Sequence, residues 1–179
     1  MSNDKKFEAA ELKAFKADCL NFDSDIVVQK YLVDGLSYYF SLFHSEHEEF
    51  MFKKSIANSL NVHIRDIAIV GSGKLGFSVK PEGEIPGLYL FKEFDHDISI
   101  KNKKSDLDVA IISGELFDRQ LRNIYEHTGG YNSSDFTGNR KKQFGSYILK
   151  GWLRPDKIPK DYEITPAIIS TQDELSKKY

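Results

Sequence analysis

Cysteine is almost missing from this chain. Cys19 stands alone among 179 residues, which excludes an internal disulfide and a thiolate metal cluster. Long apolar runs are missing as well: no stretch approaches the ~20 residues that a helix needs to cross a bilayer. The opening Met1-Ser-Asn-Asp-Lys-Lys is polar and unlike a signal segment, so a soluble cytoplasmic protein with no membrane partner is the expectation. Net charge is close to absent, with 25 lysines and arginines against 27 aspartates and glutamates. That balance removes the electrostatic case for tight, general nucleic-acid binding. A P-loop is excluded, because the motif Gly-x-x-x-x-Gly-Lys-Ser/Thr would need glycine at position 68 and Ser or Thr after Lys74, where alanine and Leu75 stand. Repeats, low-complexity tracts and linker-like stretches are lacking too.

What is present is an ordinary globular composition, 40% hydrophobic and 13% aromatic, with enough length to fill one sizeable core. A single domain over 1–179 is expected, with a helical N-terminal portion at 1–62 and a sheet-containing catalytic core at 63–179. Leu12, Phe15 and Cys19 give an amphipathic helix over 7–20. Asp23-Ser24 caps a second helix over 25–43, whose apolar residues cover more than one stripe. Ser45-x-x-Glu48 has the form of a capping box and opens a third helix to Leu60. His44 and His47 at that boundary read as a solvated turn before they read as a ligand pair. Further on, residues 115–127 predict a helix with Leu116, Phe117, Leu121, Ile124 and Tyr125 inward, closed by Gly129-Gly130. Residues 131–139 predict a loop and 140–150 another helix. Trp152 is expected to anchor the turn after it. A strand or irregular hairpin within 80–104, a strand over 162–169 and a short helix over 171–179 complete the reading.

The chemistry concentrates in two stretches. Asp66-Ile-Ala-Ile-Val-Gly71-Ser72-Gly73-Lys74-Leu-Gly76 reads as a short buried strand running into a glycine-rich turn. Ser105-Asp106-Leu107-Asp108-Val109-Ala-Ile-Ile reads as a core strand that begins with two carboxylates. Side chains at i and i+2 share a face of a strand, so Asp106 and Asp108 converge while Leu107 and Val109 turn to the core. Two carboxylates so placed repel each other, and a bound divalent cation, Mg²⁺ or Mn²⁺, explains the pair most simply. The backbone N–H groups of Gly71 and Gly73 and the Ser72 hydroxyl suit a polyphosphate beside that cation, with Lys74 near enough to add a charge. The plainer alternative is a strand-end pair that caps a helix or faces Lys101, Lys103 and Lys104. Asp95-His96-Asp97 is a rival Asp-x-Asp. Its following Ile-Ser-Ile alternates, whereas the run after Asp108 is continuously apolar and fits a core strand better.

An apolar strand, Gly71-Ser72, then Asp106-x-Asp108 flanked by apolar residues resembles the nucleotidyltransferase superfamily typified by DNA polymerase beta, over residues 66–112. The resemblance implies an α/β (α+β) fold: a small mixed β-sheet carrying the site, with flanking helices. It implies Mg²⁺ ions on Asp106 and Asp108, a nucleoside triphosphate (ATP the expected one) held at Gly71, Ser72, Gly73 and Lys74, and attack on the α-phosphorus with pyrophosphate leaving. It also implies a third catalytic carboxylate on a later strand, for which Glu163 is the first candidate and Asp161 the second. The expected activity is transfer of a nucleoside monophosphate to a hydroxyl of RNA, protein or a small molecule. By analogy with small stand-alone members, a bacterial toxin–antitoxin or antiviral defence setting is expected. Two alternatives stand beside it: a catalytically weak nucleotide-binding module that acts with a partner protein or as a homo-oligomer, and a metal-dependent phosphohydrolase. Arg140, Lys141, Lys142, Lys150 and Arg154 offer a basic patch for a nucleic-acid acceptor, with Tyr131, Phe136, Phe144 or Trp152 to stack. The same residues read first as a charged helix face over a packed aromatic core.

Overall fold

The computed structural model describes residues 9–79, 91–95, 105–134, 136–159 and the single positions 162, 173, 175 and 177. The order is α1 (Ala9–Asn21), α2 (Ser24–Val28), a π-helical turn (Gln29–Val33), α3 (Tyr38–Phe43) and α4 (Glu46–Leu60). A 3-10 turn (Ile64–Asp66) leads into β1 (Ile67–Val70) and the one-turn α5 (Ser72–Leu75). Then come β2 (Asp108–Ile111), α6 (Gly114–His127), α7 (Gly138–Ile148) and a 3-10 turn (Pro155–Lys157). Helices with a small antiparallel sheet make the chain α+β. The two described strands pair antiparallel, so among the described residues the sheet is not the mixed one expected. The strand predicted over 162–169 lies outside the described residues apart from Tyr162, while positions 173, 175 and 177 of the predicted last helix are helical. No helix among the described residues is long and apolar enough to cross a membrane.

The chain divides into two compact units, Met1–Lys53 with Ile67–Ile111 and Lys54–Asp66 with Ile112–Tyr179. The first unit is built on rings. Phe15 of α1 meets Tyr31 edge-on at 5.0 Å and Phe77 at 5.3 Å, and Phe40 of α3 meets Phe52 of α4 at 5.4 Å. Phe40, Phe52, Phe77, Ile67, Ile69 and Leu75 are all buried, so large aromatic areas supply much of the burial in this unit. Asp18 ties α1 to the π-helical turn, accepting from Lys30 Nζ at 2.5 Å and from the Tyr31 hydroxyl at 2.9 Å.

The single helix expected over 25–43 is broken. Asp34 is extended, Gly35 takes φ +73°, and helix resumes only at Tyr38. Glycine enters this left-handed region at no steric cost, whereas a side chain would be strained there. The carbonyls released by the break need donors, and Lys74 supplies them: its Nζ donates to Asp34 O at 2.8 Å and Gly35 O at 2.7 Å. On the far side of the break Ser37 is fully buried, and both its N–H and its hydroxyl donate to Glu49 Oε2 at 2.9 Å. Glu49 Oε1 in turn lies 2.6 Å from Lys53 Nζ.

Burial pushes the Glu49 carboxyl up, but the Lys53 ammonium and the two Ser37 donors outweigh it, and its pKa falls below the ordinary glutamate value. A carboxylate lowered by folding stabilises fully above its unfolded pKa and loses that contribution as pH falls through the folded one. Glu49→Ala leaves the two buried Ser37 donors unmet, which costs about 1–3 kcal/mol each in the limit of complete burial. Urea unfolding of wild type and Glu49→Ala should therefore differ clearly at neutral pH and by less in acid, below the glutamate range, where the charge-dependent part is lost while the protonated carboxyl still accepts from Ser37. A gap that persists unchanged in acid would mean the carboxylate charge is not what holds the break.

In the second unit, Ser113 caps α6, accepting from Leu116 N–H at 3.2 Å. Leu116, Gln120 and Ile124, spaced by four, form its buried stripe. Tyr125, expected inward, is more than half exposed, because it sits about 100° around the helix from Ile124. The core gathers Ile124, Phe136, Phe144 and Ile158, with Leu121, Tyr131, Ile148, Leu153 and Tyr162 packed against it. Thr128 fastens the end of α6: its hydroxyl donates to Ile124 O at 2.7 Å and accepts from Tyr131 N–H at 2.9 Å. Trp152 is 64% exposed and does not anchor the turn after α7. In the extended stretch that follows Gly151, neighbouring side chains point opposite ways, and Leu153 takes the inward place.

Candidate functional site

β1 is a run of Ile-Ala-Ile-Val whose alternate residues Ile67 and Ile69 are buried, as β-branched residues on a pleated surface favour. It stops at Gly71, with φ 69° and ψ −152°, a region that costs other residues of order 1–3 kcal/mol. Gly71 is the N-cap of α5 and Ser72 its first residue. Lys74 and Leu75 N–H both donate to Gly71 O at 3.2 Å, and Gly76 at φ 81° closes the turn with its N–H on Ser72 O at 2.8 Å. The Ser72 and Gly73 N–H groups have no acceptor among the described residues, as the geometry of a first helical turn dictates.

Antiparallel register brings the second stretch to this turn. Ile67, Ala68, Ile69 and Val70 oppose Ile111, Ala110, Val109 and Asp108, so the strand end that carries the glycines meets the strand start that carries the carboxylates. The approach is close. A Cβ on Gly71 would stand 2.9 Å from Asp108 Oδ2, and one on Gly73 would stand 2.6 Å from Leu107 Cδ1. The backbone conformation requires glycine at position 71, and at position 73 a Cβ would make the Leu107 side chain shift. From Ser105 to Val109 exposure alternates, with Asp106 and Asp108 exposed and Ser105, Leu107 and Val109 half-buried. Neither Asp106 nor Asp108 has a hydrogen bond or ion pair among the described residues.

Other candidates are placed differently. Lys74 is 6% exposed and held on the Asp34 and Gly35 carbonyls, with its pKa lowered chiefly by burial. Two of its three donor hydrogens serve the helix break in place of a phosphate. Asp95 N–H donates to Ser105 Oγ at 2.9 Å, and Ser105 N–H donates to Asp95 Oδ1 at 2.7 Å. This reciprocal pair was not foreseen; the only signal for it in the sequence was a carboxylate ahead of the Asp-x-Asp strand. His96, Asp97, Lys101, Lys103, Lys104, Asp161 and Glu163 lie outside the described residues. His44 shares a 3.2 Å hydrogen bond with the Tyr39 hydroxyl and faces Glu48 at 3.5 Å, while His47 is exposed.

The basic residues of the second unit are largely engaged with their own chain. Arg140 donates to Ile158 O at 2.6 Å, Lys141 to Tyr131 O, and Arg154 holds Asp156 with two hydrogen bonds of 2.9 and 3.1 Å. Phe136 and Phe144 belong to the core and cannot stack on bases. Trp152 is free to do so.

No cluster of three His, Cys, Asp or Glu side chains able to cage a metal occurs among the described residues. Magnesium does not demand one: it keeps several waters and takes one or two carboxylates plus substrate phosphates. Two exposed carboxylates with no partner among the described residues, beside a glycine turn, fit that requirement. A concavity of about 570 Å³ on the first unit is bordered by Asp25, Ile26, Gln29, Lys30 and Asp34, and not by Asp106 or Asp108, which are exposed. No protein-family model, curated protein or solved structure matches the chain.

Proposed function

We propose that the chain is a Mg²⁺-dependent nucleotidyltransferase that moves a nucleoside monophosphate from a nucleoside triphosphate to a hydroxyl. The observation that carries this reading is the close approach of the Asp108 carboxylate to Gly71, which unites an anion-suited turn and a cation-suited carboxylate pair at one strand edge. Each half alone has many structural explanations. Together they match the two opposite charges of a metal–triphosphate.

Asp106 and Asp108 are the residues that would hold the metal. When bound, Mg²⁺ would neutralise phosphate charge and lower the pKa of an attacking oxygen. The Ser72 and Gly73 N–H groups and the Ser72 hydroxyl are the donors for phosphate oxygens. Gly71 and Gly73, without Cβ atoms, leave the backbone open to close approach. Lys74 acts from behind, pinning α5 to the loop at Asp34–Gly35, so the turn is rigid before substrate arrives. Work done by such a site is chiefly positioning and electrostatic stabilisation. The third carboxylate of this reading is Glu163.

The test is incubation of the purified protein with each nucleoside triphosphate labelled at the α-phosphorus, Mg²⁺, and total cellular RNA or protein. Label moving to an acceptor with release of pyrophosphate is the expected result. Release of inorganic phosphate without transfer would make the chain a phosphohydrolase. Mg²⁺-dependent nucleotide binding with no product would make it a binding module.

A further inference from the structure

We infer that Asp95 is a positioning residue for the carboxylate pair, an inference that rests on the metal-binding reading of Asp106 and Asp108. The need for one is visible in the strand. Asp108 is held by the ladder opposite Val70, but Asp106 precedes the first ladder residue and its carboxylate has no partner among the described residues. Its place is therefore set by its own backbone, held after it by Asp108 in the ladder and before it at Ser105. The Ser105 backbone is held by Asp95. The two residues, ten positions apart, exchange hydrogen bonds in both directions: Ser105 N–H to Asp95 Oδ1 at 2.7 Å, and Asp95 N–H to Ser105 Oγ at 2.9 Å.

Asp95 is itself well anchored. Phe94 N–H donates to Gly76 O at 2.8 Å, Ser78 N–H donates to Lys92 O at 2.8 Å, and Phe77 bridges to Glu93. Phe77 is buried against Phe15 and Phe91. A path of hydrogen bonds thus runs from the end of α5 through Phe94 and Asp95 to Ser105. The carboxylate strand is gripped from two sides, by the β1–β2 ladder after Asp106 and by this latch before it. Asp95 has φ +61°, a left-handed conformation rare for residues with a Cβ, though Asp and Asn tolerate it best. Such conformations persist where surrounding structure enforces them, and they concentrate at functional sites.

The test uses the full chain and Mn²⁺ alone as probe, with affinity read from the free-Mn²⁺ electron paramagnetic resonance signal and Ser105 N–H exchange read by NMR. Asp95→Ala is expected to weaken Mn²⁺ binding about tenfold, the low end for outer-shell residues of metal sites, and to expose the Ser105 amide to exchange. Asp95→Asn keeps an oxygen that can accept from Ser105 N–H and is expected to restore both readouts. Ser105→Ala, which retains the N–H and loses only the Oγ acceptor, is expected to give a smaller loss and covers the case in which Asp95→Ala fails to fold. Equal weakening by Asp95→Asn and Asp95→Ala would make Asp95 a metal ligand and overturn the positioning role. Unchanged Mn²⁺ affinity in Asp95→Ala, with the Ser105 amide exposed, would overturn it as well. A wild-type protein that binds no Mn²⁺ would overturn the metal-binding reading itself, and the inference with it.

Discussion

Asp108→Asn is expected to abolish the proposed nucleotidyl transfer without weakening the fold. Asparagine keeps the volume and shape of aspartate but removes the charge that a divalent cation requires. A catalytic metal supplies several kcal/mol of transition-state stabilisation; at about 1.4 kcal/mol per decade of rate, its loss lowers turnover by about 10³-fold or more. Both carboxylates are exposed and without partners among the described residues, so stability should stay within about 0.5 kcal/mol of wild type. Removing one of two neighbouring like charges can only relieve repulsion. Asp106→Asn should act in the same direction but less severely, because Asp108 is the carboxylate that lies in the ladder, close against Gly71. The measurement pairs label transfer with urea unfolding on the same preparations. Transfer that survives both substitutions would remove Asp106 and Asp108 from the chemistry.

The parts of this site legible in the sequence are those with few physical solutions. An Ile-Ala-Ile-Val run ending in glycine has little choice but strand then turn, and the observed Gly71 conformation is one that only glycine accepts readily. The i, i+2 relation of Asp106 and Asp108 also follows from strand geometry alone, and the alternation in exposure agrees with it. What the sequence could not supply was register. That Asp108 opposes Val70 depends on pairing between segments separated by 37 positions, and a one-residue slip would have turned the carboxylates to the other face.

Side chains with two plausible employments were the least legible. Lys74 has the same local sequence whether it reaches a phosphate or two carbonyls 39 and 40 positions away. The helix expected across 25–43 fails for the same reason. Its apolar spacing continues through Gly35, and only the distant Lys74, Ser37 and Glu49 contacts show why the break is stable. Asp95 reads as a rival ligand in the sequence because its carboxylate is visible there and its acceptor role toward Ser105 is not. Aromatic residues near basic ones were equally ambiguous. Phe136 sits in a turn-rich, polar stretch, where a stacking platform and a core residue look alike.

The structure separates those two roles by burial, and Phe136→Ala measures the difference. Phe136 is 0% exposed and meets Phe144 nearly perpendicularly at 5.2 Å, with Ile124 and Ile158 completing the cluster. Its removal forfeits ring burial and leaves a cavity, a combined cost of about 3–5 kcal/mol for a buried phenylalanine. Domains of this kind have only about 5–15 kcal/mol in total, so the substitution consumes a large share of the margin. With a urea dependence of about 2–3 kcal/mol per molar for a chain of this size, the unfolding midpoint should fall by roughly 1–2 M. Trp152→Ala is the matched control: its ring is 64% exposed, and truncation should shift stability by no more than about 0.5 kcal/mol. If instead the two variants unfold at the same urea concentration, the packing of Phe136 into the core is wrong. If only Phe136→Ala is destabilised, Trp152 is exposed enough to meet a nucleic-acid base and dispensable to the fold, which makes it the first of the four aromatics to test against an acceptor RNA.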